Sequence, residues 1–213
     1  GRVDWMPARV LRFFDDVLGH SSNLRQEARV DDIVRQAMAK WPDVPNCFGW
    51  LALDRRGQWR LRTEFAQAHK LPGDPIRHAP LIDFIVRNYT HDDVGRWFFQ
   101  NGPQRVFVEL EYTPWIVRLV PDGELQTFRT TTGAAFAPTG CFADEHGNVL
   151  LSGRVAGQGE EDSIALLHDH DLDGFSGACD WHGDACGAAL GVFHHDGRDI
   201  DIEPIAEAVE IFS

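Results

Sequence analysis

RWFFQNGPQRVFVELE, residues 96–111, reads as two strands folded back on each other around Asn101-Gly102-Pro103. An Asn-Gly pair tolerates the positive φ angles that a tight hairpin demands. In the second arm Val106, Val108 and Leu110 share one face, and Arg105, Phe107, Glu109 and Glu111 share the other. That period of two is the mark of a strand with two chemically different sides. Pro114 breaks the alternation, and residues 115–120 form a further strand up to the turn Pro121-Asp122-Gly123. Residues 124–131 then alternate as a half-exposed strand does. These four strands are expected to form an antiparallel meander.

Working outward, residues 48–62 read as another hairpin, with the turn Asp54-Arg55-Arg56-Gly57 and with Trp59 and Leu61 on one face of the return. Gly73-Asp74-Pro75 punctuates the chain, and Leu81, Ile82, Phe84 and Ile85, with Tyr89 nearby, predict a short helix. Two helices are expected at the start. In residues 8–18 the apolar positions are Val10, Leu11, Phe14, Val17 and Leu18; in residues 31–41 they are Ile33, Val34, Ala37 and Met38, with Pro42 and Pro45 as stops. Beyond residue 140 three landmarks recur in order. Residues 142–151 resemble 51–61, Asp162-Ser163-Ile164 resembles Asp74-Pro75-Ile76, and residues 193–202 resemble 98–108. Such recurrence points to an internal duplication. The expected fold is therefore α+β, with a helical arm (1–45) followed by two related antiparallel β-rich halves (46–133 and 134–213) built of meanders, hairpins and short helices.

The 213 residues suit one large domain or two small ones, and seven Trp with fourteen Phe supply a substantial core. No apolar run approaches the roughly 20 residues that span a bilayer, and the first dozen residues lack a signal-peptide core. A cytoplasmic protein without membrane contact is expected. Cys47, Cys141, Cys179 and Cys186 read as free thiols. Charge is unevenly distributed: from Cys141 onward only Arg154 and Arg198 stand against sixteen Asp and Glu, whereas the first 140 residues are near neutral. Such a field repels phosphate backbones, so nucleic acid is excluded as a partner, and it attracts cations or basic protein surfaces.

Trp59, Gly73-Asp74-Pro75-Ile76, residues 97–113 followed by Pro114, and Phe128-Arg129-Thr130-Thr131-Thr132-Gly133 together resemble a bacterial family of unknown function, DUF1285. The resemblance covers the middle 90 or so residues of the chain. It implies a fold of two related β-rich halves and a role in signalling, and it carries no catalytic residues to transfer.

Three motifs could carry chemistry. Asp169, Asp171 and Asp173, with Gly174 at the sixth position and Asp180 at the twelfth, match the ligand spacing of a calcium loop, where oxygens at alternate positions converge on a hard cation. Ser176 at position eight and the shorter Asp at position twelve depart from that pattern. His168, His170, His182 and His194 offer imidazoles to a transition metal, although Cys179-x2-His182-x3-Cys186 is not a common zinc spacing. Glu109 and Glu111 form a potential carboxylate pair, on the face where Arg105 and Phe107 would line a ligand groove if it were left open. No nucleophile elbow, phosphate loop or dinucleotide fingerprint occurs. The leading expectation is a non-enzymatic regulatory module that binds a small molecule or protein, with no resident cofactor. The alternatives are a metal-dependent hydrolase using the Asp/His segments and an interaction protein with an acidic surface.

Overall fold

The computed structural model describes residues 36, 40, 44–122, 125–158, 162–182 and 189–205. The helices expected over 8–18 and 31–41 lie outside these residues, apart from Gln36 and Lys40, which are helical. What is described is predominantly β. There are fourteen strands among the described residues, against three helices of five to nine residues and one 3-10 turn. This overturns the α+β expectation: strands hold far more of the described residues than helices do.

The chain divides into two compact units, one formed by Gly1–Ala52 and Arg60–Val108, the other by Leu53–Trp59 and Glu109–Ser213. A six-stranded sheet contains β1 (Cys47–Leu53), β2 (Trp59–Leu61), β3 (Asp74–Pro75), β4 (Tyr89–His91), β5 (Trp97–Asn101) and β6 (Gln104–Leu110), in the order β3-β2-β1-β6-β5-β4. Helix α1 (Glu64–Ala68) is capped by the Thr63 hydroxyl, which accepts from the Ala66 amide. Helix α2 (Ala79–Arg87) begins where Pro80 can sit without losing a hydrogen bond. The edge of its buried Phe84 packs on the Phe99 ring at 5.3 Å.

One turn closes three of the hairpins. In each, an aspartate Oδ1 accepts from the amides two and four residues on: Asp54 from Arg56 (3.0 Å) and Gln58 (2.8 Å), Asp92 from Val94 (3.2 Å) and Arg96 (2.8 Å), Asp144 from His146 (2.9 Å) and Asn148 (2.8 Å). The fourth residue is always glycine with φ between 76° and 78°, a conformation that costs glycine least. The likeness between residues 51–61 and 142–151 thus rests on a turn that Asp92 also makes, so it does not by itself mark a repeat. At residues 101–104 the turn is centred on Gly102-Pro103, with Asn101 opposite Gln104. Gly102 has the positive φ and Pro103 the fixed negative one, one residue later than the Asn-Gly reading.

The second unit holds β7 (Trp115–Asp122), β8 (Leu125–Thr130), β9 (Ala135–Asp144), β10 (Val149–Val155), β11 (Ser163–Leu167), β12 (Cys179–Trp181), β13 (Gly191–His195) and β14 (Arg198–Ile205). Pairings β7–β8, β8–β9, β9–β10, β10–β11 and β11–β7 close a ring of five strands around a core with Val117, Phe128, Leu151 and Ala165 at 0–1% exposure. Closure removes free edges. The second edge of β9 is divided: Ala135 and Phe136 pair with β8, and residues 141–144 pair with β14. Opposite β10 the register slips between Ser152 and Gly153, leaving Thr139 as the extra residue of a bulge. A Cβ on Gly153 would lie 2.3 Å from the Ala137 carbonyl oxygen, so only glycine fits there.

Two further expectations are corrected. The sheets are not wholly antiparallel, because β11–β7 and β14–β9 run parallel. The four strands from residue 96 to 131 are not one meander: β6 pairs within the first sheet and β7 within the second. The cause lies at Thr113, which is buried. Its hydroxyl donates to the Trp115 carbonyl at 2.7 Å and accepts from the Leu166 amide at 3.1 Å, which fixes the start of β7 beside β11.

Candidate functional site

Residues 169–180 do not form a loop around a common centre. Asp169–Asp171 is a 3-10 turn, Leu172–Ser176 is helix α3, and Asp180 lies in β12. Gly174 sits inside α3. Asp173 is exposed in its first turn. Asp171 accepts from Arg118 Nε at 2.5 Å, from Arg118 Nη2 at 3.1 Å and from the Leu119 amide at 3.0 Å. Burial opposes ionisation of Asp171, but these donors outweigh it and hold the pKa below the usual carboxylate range. Asp169 is paired with Arg56 Nη2 at 2.5 Å.

Next to it, His168, Asp169 and His170 bring one ligand atom each within 4.8 Å of one another. His168 is buried, its Nδ1 accepting from the His170 amide at 3.1 Å and lying 2.8 Å from Asp169 Oδ1. Burial, followed by the nearby Arg118, lowers its pKa and favours the neutral ring. The donor set suits a transition metal. A cation entering here would nevertheless compete with Arg56 for Asp169, with a second guanidinium, Arg118, close by. His182 stands apart, its Nδ1 3.3 Å from the Ala189 carbonyl oxygen.

The ribbon β12–β13–β14 is strongly two-sided. Register places Asp180 opposite Val192, Asp201 opposite Val192 and Asp199 opposite His194. By strand alternation one face therefore carries Asp180, Val192, His194, Asp199, Asp201 and Glu203. All four acidic residues and His194 are exposed, and no Lys or Arg of the described residues of these strands shares the face. The opposite face carries Phe193, Ile200 and Ile202, all buried, with Phe175 of α3 at 4.6 Å from the Phe193 ring. The type of turn is set by Asp196 and Gly197, with φ of 51° and 68°, as a two-residue hairpin requires.

His194 spans the acidic face. Its Nδ1 lies 2.8 Å from Asp199 and its Nε2 3.0 Å from Asp180, so only the doubly protonated ring donates to both. These two bonds raise its pKa, Asp199 contributing most. His195, one residue on, packs against Phe128 and Phe193, and its burial lowers its pKa. Since Asp180 and Asp199 take opposite nitrogens of one ring, they do not converge on a single ion. Asp199, Asp201 and Glu203 were not anticipated as site residues. The alternating stretch Asp199-Ile200-Asp201-Ile202-Glu203 was the signal that could have found them.

In the first unit α2 covers the Phe99 face of the sheet, and the other face carries Phe107 opposite Phe98. Phe48 of β1, 55% exposed, lies flat on Phe107, with ring centroids 4.6 Å apart and planes 5° from parallel. Arg96 stands over Phe107 at 4.9 Å and Arg105 over Phe98 at 4.7 Å. Of the potential carboxylate pair Glu109 and Glu111, Glu111 accepts from the Arg55 amide at 3.2 Å.

The family DUF2944, described as protein of unknown function (DUF2946), matches residues 30–211. No curated protein matches the chain. Two solved structures are similar to it, both DUF1285 family proteins, the family resembled in sequence. The one from Silicibacter pomeroyi DSS-3 is 13% identical with a TM-score of 0.46, covering 80% of this chain and 87% of that one. The one from Shewanella baltica OS155 is 13% identical with a TM-score of 0.42, covering 60% of this chain and 91% of that one. Among the described residues no helix is long and apolar enough to cross a membrane.

Proposed function

We propose, for a chain that belongs to the DUF2944 family of proteins of unknown function, a non-enzymatic regulatory role in which the acidic face of β12–β13–β14 docks a basic protein segment. The observation that carries this reading is the exposed row Asp199, Asp201 and Glu203, extended across the ribbon by Asp180. Residues on one face of a strand repeat every two positions, about 6.8 Å. An extended peptide with Lys or Arg at alternate positions presents the same repeat, so each carboxylate meets a cation without bending either chain. Two other carboxylates of the second unit are already committed. Asp144 is consumed by its turn and by Tyr112, and Asp171 by Arg118.

Exposed ion pairs are individually weak, so affinity comes from their number and falls with salt. The test is fluorescence anisotropy of the full chain with a labelled twelve-residue peptide alternating Lys and Ser, at low and at physiological salt. Saturable binding that weakens with salt and is abolished by Asp199→Lys with Asp201→Lys is expected. Binding that survives this double reversal would refute the assignment.

A further inference from the structure

We infer that the proton on His194 regulates the acidic face: the charged ring closes Asp180 and Asp199 to a basic partner, and the neutral ring opens them. The inference rests on the docking proposed for this face and adds its regulation.

His194 lies on the middle strand of the ribbon, between an acid on each neighbouring strand. Asp199 of β14 is directly opposite it in register. On the other side the His194 amide donates to the Ala178 carbonyl at 2.9 Å, which sets the ring two residues from Asp180 along the chain. Each ring nitrogen reaches a different carboxylate, Nδ1 to Asp199 Oδ1 at 2.8 Å and Nε2 to Asp180 Oδ2 at 3.0 Å. A histidine ring carries two N–H donors only when it is charged. In that state it fills one oxygen of each acid and places a positive charge between them. Loss of the proton leaves a lone pair on one nitrogen, facing a carboxylate oxygen at hydrogen-bond distance. That contact becomes repulsive. The side chains of Asp180 and Asp199 are 81% and 78% exposed, so either can swing into water and be taken by a lysine or arginine.

The surroundings make His194 the group that decides. Farther along the same face lie Asp201 and Glu203 of β14 and His182 just beyond β12, and Asp196 stands in the turn that follows the ring. His182 turns its Nδ1 to the Ala189 carbonyl rather than to an acid. Arg198 is opposite His195 and so belongs to the other face, where α3 packs through Phe175. Among the described residues of the ribbon, His194 is thus the cation that touches the acids of this face. Its bonds to Asp199 and then Asp180 raise its pKa above the ordinary value of about 6.5, which brings the change of state nearer to neutral pH. A basic partner that takes either acid removes one of these bonds. Binding therefore favours loss of the proton, and by linkage the proton opposes binding.

The experiment repeats the anisotropy titration of the full chain with the labelled Lys/Ser peptide at about pH 6 and about pH 8.5, at one ionic strength. That window lies above the ordinary carboxylate range and below that of lysine, so imidazoles are the main side chains that change charge within it. The wild-type chain is expected to bind about fivefold or more tightly at the higher pH. His194→Gln, which has no proton to gain, is expected to bind tightly at both. His194→Lys, which keeps its charge, is expected to bind weakly at both. The position is exposed, and retained amide dispersion shows that both variants fold. An imidazole NMR titration gives the reciprocal readout: saturating peptide should lower the His194 pKa toward the ordinary value. Wild-type affinity that is equal at the two pH values would overturn the inference and leave the docking site standing. So would a pH dependence that persists in both variants, since another group then carries it. No binding at either pH would refute the docking and the inference together, so the two failures are told apart.

Discussion

The face carrying Phe48, Phe107 and Phe98 and the face carrying Asp180, Asp199 and Asp201 are built on the same plan and end with opposite chemistry. In each, strand alternation sends one set of side chains into a packed layer: Phe99 against Phe84 in the first unit, Phe193 against Phe175 in the second. The other set is exposed in the second unit, whereas in the first Phe98 and Phe107 are buried and Phe48 is exposed. In the first unit it is aromatic and cationic; in the second it is acidic. Folding demands only that one side be apolar, so the acidic composition of the second unit's exposed side reports on something besides stability. Two adjacent residues repeat the lesson at a smaller scale: His194 faces carboxylates and is pushed toward the charged form, while His195 faces phenylalanines and is pushed toward the neutral one.

The contrast breaks first at the packed layer. Phe193→Ala is expected to destabilise the second unit by about 3–5 kcal/mol in urea unfolding, as for other buried phenylalanines. Phe48→Ala should cost about 1 kcal/mol or less, since the ring is largely exposed. Should the two variants cost the same, the Phe48 face is core and the comparison collapses.

A smaller effect is expected from Asp171→Asn, about 1–2 kcal/mol near neutral pH, because Arg118 and the Leu119 amide lose a charged acceptor. Asp171 is held below its ordinary pKa, so its contribution is present above the unfolded value of about 4 and disappears as pH falls through the lowered one. Thermal melts from neutral to acid pH should show the variant converging on the wild type at the acid end.

The histidines sharpen the contrast through sign rather than size. Imidazole NMR titrations should place His194 above the ordinary value of about 6.5 and His195 below it. What His194 contributes is fully present below about pH 6.5 and is lost as pH rises through its raised pKa. What His195 contributes is fully present above about pH 6.5 and is lost as pH falls through its lowered pKa. Melting differences for His194→Gln and His195→Gln should therefore slope in opposite directions with pH. The smallest change expected is the stability effect of Glu203→Lys, within about 0.5 kcal/mol by urea unfolding, although basic-peptide binding weakens.

Hairpins were the legible part of this sequence. Asp54-x-x-Gly57 and Asp144-x-x-Gly147 mark turns because the aspartate and glycine act within five residues. The same pattern at Asp92-x-x-Gly95 makes the β4–β5 turn, which the helical reading of the preceding residues obscured. Which strand pairs with which was not legible. Periodicity cannot distinguish β6 beside β7 from β6 beside β1, and the deciding contacts join residues far apart, such as Thr113 with Leu166. The site was visible only in outline. An acidic C-terminal third could be counted from composition, but the Asp/His motif drew attention to residues 169–180, where Arg56 and Arg118 occupy two of the carboxylates. Guanidiniums from distant strands leave no trace in local spacing.

The divided edge of β9 has a consequence for the order of events during synthesis. Residues 141–144 find their partner in β14, some 60 residues later in the chain. A ribosome adding about 5–20 residues per second leaves that edge of the nascent chain uncovered for several seconds after β9 emerges. A long interval of that kind is an opportunity for two nascent copies to join edge to edge. Exposed acids between the two strands, among them Glu145, Asp162, Asp169, Asp173 and Asp180, lie within the delay, and their like charge opposes the approach of a second chain until β14 arrives. The acidity of this third of the molecule would then serve the chain before it is folded as well as after.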